Sequence, residues 1–189
     1  VLVDGAHCVA HIPVDIRALN CDYYGSSLHK WLSTPLGAGM LYVRKKHISK
    51  IWPLLAEHHR DPDDISRLNH TGTHPVHTDL AIDNAMDYLE MIGLERKTRR
   101  LRYLQRYWSD QVRNVPNIEV NTPVDPARSC GIANVGISGM KPSELADVLL
   151  EEFGIFTVAI DYANVQGCRI TPNVFTTTGE LDTFVWALK

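Results

Sequence analysis

Apolar and polar positions change their rhythm three times along the chain. The opening run Val1-Leu2-Val3 stops at Asp4-Gly5, the pattern of a short buried strand that ends in a carboxylate. A second run, Asp22 to Ser26, leads into Ser27-Leu28-His29-Lys30-Trp31. A Gly-rich apolar segment, Gly37 to Val43, then looks like one more strand. Lys45 to Leu55 suits a short amphipathic helix, and the polar stretch from Glu57 to Asn69 an exposed loop. From Thr78 to Ile92 the apolar residues Leu80, Ala81, Ala85, Tyr88, Leu89 and Ile92 keep a helical period, broken by Gly93. A second helical pattern runs from about Leu94 to Val115. Its arginines and Lys97 read as a solvated basic face.

Beyond Pro116 the texture becomes strand, strand, helix, strand, strand, helix. Ile118 to Asn121 and Ile132 to Ser138 are β-rich, and Pro142 opens a helix that Gly154 closes. Ile155 to Ile160 and Arg169 to Pro172 are the next expected strands. Thr177 with Glu180 forms a capping box before a last helix, Leu181 to Leu188. The expected division is residues 1–95, a linking helix at 96–115, and a compact α+β domain at 116–189.

Bulk properties narrow the field without choosing a chemistry. The chain has 189 residues, 44% hydrophobic and 22% charged, with a net charge of −3, so no polyanion partner is implied. No apolar run approaches the ~20 residues of a membrane span, and no secretory leader is visible. Cys8, Cys21, Cys130 and Cys168 are scattered without CxxC spacing, which favours reduced thiols and a cytoplasmic protein. His58, His59, His70, His74 and His77 crowd into a short stretch, but no cysteine or ordered helical HxxxH accompanies them. No metal site is expected there.

The chemistry concentrates near the start. One carboxylate, Asp4, and one lysine, Lys30, each follow a strand, and small or hydroxyl residues surround the lysine. That layout suits an enzyme that holds a carbonyl cofactor on an amine. Asp4-Gly5-Ala6-His7, Asp22-Tyr23-Tyr24, Ser27-Leu28-His29-Lys30 and Pro35-Leu36-Gly37-Ala38-Gly39 together resemble, in order and spacing, the class V aminotransferase family. These are pyridoxal 5'-phosphate (PLP) enzymes of fold type I. The DGAH and HKWL wording is most similar to the isopenicillin-N-epimerase-like branch, beside the cysteine desulfurases.

The resemblance implies a fold and a set of roles. The fold class is α/β: the C-terminal part of the fold type I large domain, a mainly parallel sheet with helices, then a small α+β domain. Relatives are about twice this length, so the N-terminal half, with its phosphate-cradling loop and stacking aromatic, is expected to be missing. Lys30 would be the Schiff-base lysine, and Asp4 the partner that keeps the pyridine nitrogen protonated. His7 would reach the phenolic oxygen, and Ser27 and His29 the phosphate. Gly72 and Thr73 resemble an element that crosses to the phosphate of a neighbouring subunit, which implies a homodimer with shared active sites. Relatives often carry an arginine next, where this chain has His74. Arg169 would grip the α-carboxylate of an amino acid substrate.

The implied activity is transamination, racemisation or elimination at an amino acid. A cysteine desulfurase or C–S lyase is the alternative, disfavoured because the segment from Asp161 to Gly167 lacks the family's nucleophilic cysteine and Cys168 adjoins Arg169. A catalytically inactive scaffold fragment and a histidine-based metal module are the readings from other classes.

Overall fold

The computed structural model describes residues 1–55, 60–69 and 72–189. The chain divides into two compact units, Val1–Leu94 and Glu95–Lys189.

In the first unit, β1 (Leu2–Asp4) pairs in parallel with β2 (Tyr23–Ser27), with Asp4 opposite Gly25. Parallel neighbours need a crossover, and residues 5–22 supply it. The crossover carries the one-turn helix α1 (Ile16–Leu19), whose start is held by the Asp15 carboxylate accepting from Arg17 and Ala18 N–H. β3 (Gly39–Val43) returns antiparallel to β2. The sheet was expected to be mainly parallel; within this chain it is mixed, because the connection at 28–38 reverses direction without a helix. Lys45 to Leu55 was expected as a helix. Only α2 (Lys45–Ile48) forms, and a 3-10 turn at Ile65–Leu68 interrupts the expected loop. α3 (His77–Ile92) ends where Gly93 takes a positive φ of 84°. Ala85 is its one buried residue.

The second unit is built on α4 (Leu94–Val112). Its buried face, Leu101, Leu104, Gln105, Trp108, Ser109 and Val112, follows the three-and-four spacing of one helix side. The helix expected to link two domains thus contributes Leu104, Trp108 and Val112 to the core of this unit. Its basic face is only partly solvated. Arg96, Arg99 and Arg106 are exposed, but Lys97 is buried. Arg100, Arg102 and Arg113 donate to the carbonyls of Thr176, Pro126 and Thr122 and so tie down loops of the same unit.

β4 (Ile118–Val120), β5 (Ala133–Ile137), β6 (Val158–Tyr162) and β7 (Val165–Ile170) form an antiparallel sheet in the order β4-β5-β7-β6. Two helices share its core. α5 (Pro142–Phe153) is closed by Gly154 at φ 67°, and α6 (Thr178–Leu188) is opened by the reciprocal Thr177–Glu180 cap. The expected strands at 155–160 and 169–172 shift to a tight hairpin, β6 to β7. Ala163 and Asn164 turn it with φ of 50° and 65°. A two-residue turn of this kind has positive φ at both positions, usually signalled by Asn-Gly; Ala-Asn sends no such signal.

Trp108 meets Phe184 edge to face at 5.2 Å in the middle of this core. Trp108→Ala is expected to cost about 3–5 kcal/mol. Urea denaturation of the purified protein checks it, and a loss under about 1 kcal/mol would show that the core collapses around the gap.

Candidate functional site

The carboxyl ends of β1 and β2 lie side by side because the strands run parallel in register. Asp4 ends β1, and its carboxylate accepts the Ala6 N–H at 3.0 Å while staying exposed. The chain can turn away at once because Gly5 has no Cβ. Its N–H donates to Gly25 O at 2.8 Å, its carbonyl accepts from Ser26 Oγ at 3.0 Å, and an added Cβ would overlap the Tyr24 ring. Tyr24 is buried with its hydroxyl unpartnered. Burial, with the Cys8 thiol beside it second, pushes its phenol up to about 12.

The turn after Asp4 delivers His7 to Lys30, five residues beyond Gly25 on the neighbouring strand. Lys30 Nζ lies 3.2 Å from His7 Nε2. Trp31 Nε1 donates to the other ring nitrogen, Nδ1, also at 3.2 Å. His11 Nδ1 lies 3.0 Å from the His7 carbonyl, and its ring stacks on Trp31 at 4.1 Å with 5° between planes. Among the described residues, no carboxylate oxygen lies within 4 Å of the Lys30 amine. An imidazole is therefore its neighbour, where a surface lysine would find an acid or water.

Of the expected site residues, Asp4, His7 and Lys30 come to one edge of the sheet, and Ser27 and His29 lie on the segment between. His29 is half-buried with Nδ1 3.3 Å from Ala38 O. A carbonyl only accepts, so Nδ1 carries a proton, and Nε2 of the neutral ring can only accept as well. His29 thus donates to an anion through Nε2 only as an imidazolium. Gly72 and Thr73 sit in an exposed bend before α3, with Gly72 at φ 74° and its carbonyl 3.4 Å from His74 Nδ1. No contact joins them to Lys30 among the described residues. His58, His59, His70 and Thr71 lie outside those residues. Among the described residues, no group of three or more His, Cys, Asp or Glu side chains gathers as metal ligands would.

Arg169 belongs to the second unit. It is half-buried on β7, with Nε buried and unpartnered. It lines a cavity of about 410 Å³ together with Phe156, Thr157, Thr171 and Thr176. A buried guanidinium N–H without an acceptor suits an incoming anion.

The model of the family described as aminotransferase class-V matches residues 1–159. The chain belongs to the aminotransferase class-V family. It is 26% identical over 206 aligned positions to isopenicillin N epimerase of Amycolatopsis lactamdurans, covering 100% of this chain and 51% of that protein. The cysteine desulfurase of Thermococcus onnurineus NA1 superposes with a TM-score of 0.85 at 20% identity, over 99% of this chain and 51% of that one. A cystine C–S lyase, solved in one form with glycine covalently linked to its PLP cofactor, superposes at 0.82 and 19% identity, over 99% of this chain and 50% of that one. These likenesses share the fold type I architecture. The chain spans about half the length of the relatives it matches.

The residues present suit the family's cofactor. Within the first unit, an amine set against an imidazole and a carboxylate at the neighbouring strand end fit an aldehyde and a ring nitrogen. Trp31 was not among the expected site residues. Its place immediately after Lys30 was visible in the sequence; its bond to His7 was not.

Gly5→Ala is expected to destabilise by about 1–3 kcal/mol, because the methyl group must displace the Tyr24 ring. Gly25→Ala, which meets nothing within 4 Å, serves as the matched control. Equal melting temperatures for the two variants would contradict this packing.

Proposed function

We propose that this chain is the lysine-bearing portion of a PLP-dependent enzyme acting on an amino acid, an epimerase- or aminotransferase-like member of its family. The observation that carries the proposal is the contact of the Lys30 amine with the His7 imidazole beside the strand end at Asp4.

PLP, when bound, supplies an aldehyde and an electron-withdrawing ring that accepts the electrons of a broken Cα bond. Lys30 would hold the aldehyde through its amine and would move a proton at the substrate Cα. Asp4 keeps a proton on the ring nitrogen, since its carboxylate has an oxygen to spare after the Ala6 N–H. His7 donates to the phenolic oxygen. Ser27 and His29 would hold the phosphate, joined by Gly72 and Thr73 from a neighbouring subunit in a homodimer with shared sites. Arg169 orients the substrate carboxylate with its guanidinium fork. Four cysteines scattered without CxxC spacing accord with a cytoplasmic home.

Relatives include epimerases and desulfurases alike, so the choice of reaction rests on the thiols. A desulfurase needs a mobile cysteine ahead of the arginine strand. Here that stretch is the tight β6–β7 hairpin without a cysteine. Cys168 itself is buried, its Sγ donates to Pro142 O at 3.3 Å, and burial raises its thiol above the ordinary range. A thiol held this way is a poor nucleophile. These thiols support transamination, racemisation or elimination without a protein thiol.

Borohydride treatment of the full-length protein with PLP is expected to fix the label on the Lys30 peptide, read by mass spectrometry. Lys30→Ala should abolish the label and lower turnover by about 10²–10⁴-fold. A label on any other lysine would end the proposal. Thiol labelling tests the choice of reaction. Cys168 should react only on unfolding, and Cys168→Ala should leave turnover within about twofold, whereas a desulfurase nucleophile would be indispensable.

A further inference from the structure

Trp31 and His11 belong to the Lys30 cluster, and the proposed chemistry gives neither a task. We infer that Trp31 is a positioning residue: its indole N–H selects the tautomer of His7 and so turns a hydrogen-bond donor toward the Lys30 amine.

The argument needs only the donor and acceptor inventory. An indole nitrogen donates and never accepts. Trp31 Nε1 stands 3.2 Å from His7 Nδ1, so Nδ1 receives that hydrogen with its lone pair. A neutral imidazole carries one N–H, and with Nδ1 bare it sits on Nε2. Nε2 is the atom 3.2 Å from Lys30 Nζ. An Nε2–H at that distance is met by the lone pair of an uncharged amine. An ammonium offers only donors and would leave two hydrogens facing each other.

The opposite tautomer would reverse the preference. Nδ1–H would confront the indole N–H, and the Nε2 lone pair would take a charge-assisted bond from the ammonium. Which nitrogen of His7 holds the proton therefore decides which form of Lys30 the site welcomes, and attack on a carbonyl carbon needs the uncharged one. The indole is in turn prevented from swinging away. Trp31 is buried and lies flat on His11, while His11 Nδ1–H donates to the His7 carbonyl at 3.0 Å. Indole and imidazole are fixed to each other through a third ring.

This inference rests on the Lys30 reading for its functional meaning, and its test has a readout that does not depend on turnover. In the full-length protein labelled with ¹⁵N-histidine, above the titration range of imidazole, His7 is assigned by the peaks lost in His7→Gln. Its Nδ1 resonance is expected at the downfield position of an unprotonated nitrogen and Nε2 at that of an N–H. Trp31→Phe keeps an aromatic ring for His11 to stack on and removes the N–H together with the rest of the five-membered ring. Its His7 resonances should move toward an average of the two tautomers, and acylation of Lys30, followed by peptide mass spectrometry, should slow several-fold.

A protonated Nδ1 in the native protein overturns the inference, whether or not Trp31→Phe folds. So do His7 shifts that are the same with and without the indole. Borohydride labelling of the same samples separates the two ideas. An unlabelled Lys30 beside an Nε2–H imidazole defeats the cofactor reading and leaves the tautomer assignment standing. A labelled Lys30 beside an Nδ1–H imidazole overturns the tautomer assignment alone.

Discussion

The parallel pairing of two short strands governs the site. Leu2, Val3 and Asp4 lie opposite Tyr23, Tyr24 and Gly25, and both strands release their chains at the same edge. Side chains separated by more than twenty positions become neighbours for that reason: His7, three residues past Asp4, meets Lys30, five residues past Gly25. A register slip of one residue would turn Tyr24 out of the core and lift Gly5 off the ring it packs against. The chemistry is thus carried by the backbone ladder more than by any single contact among the side chains.

Around that edge the cluster is unusually rich in rings with a defined direction of donation. The indole of Trp31 donates to the His7 imidazole, which lies against the Lys30 amine, while His11 bonds the His7 carbonyl. Half-buried polar networks of this kind are costly when incomplete and specific when complete. Lys30 has an imidazole as its neighbour, and among the described residues no carboxylate forms an ion pair with it. The same economy of partners leaves the Arg169 Nε without an acceptor in the second unit, the condition in which an incoming carboxylate is worth most.

The two units are stabilised differently. The second has a continuous core in which α4, α5 and α6 close on one sheet around Trp108. In the first, several large apolar residues stay exposed, among them Leu2, Trp52, Leu54 and Leu80. α3 takes the helical form its periodicity demands while burying little beyond Ala85. Local period and burial are separable: the period marks where a helix lies, while most of its stability comes from packing its apolar stripe.

Much of this was legible in the order of residues. Periodicity and caps located α3, α5 and α6, and the segments Asp4–His7, Asp22–Tyr24, Ser27–Lys30 and Pro35–Gly39 announced the family, because strand ends, glycines and an isolated lysine are local signals. What stayed hidden depended on partners far along the chain. The solvated look of Lys97, Arg100 and Arg113 gave way once a core and carbonyls stood beside them, and the hairpin at Ala163-Asn164 needed the pairing of β6 with β7 to exist at all. The bond from Trp31 to His7 is of the same kind. A sequence specifies that an indole follows Lys30, but only the folded sheet edge decides which atom it meets, since hydrogen-bond direction is a property of positions in space.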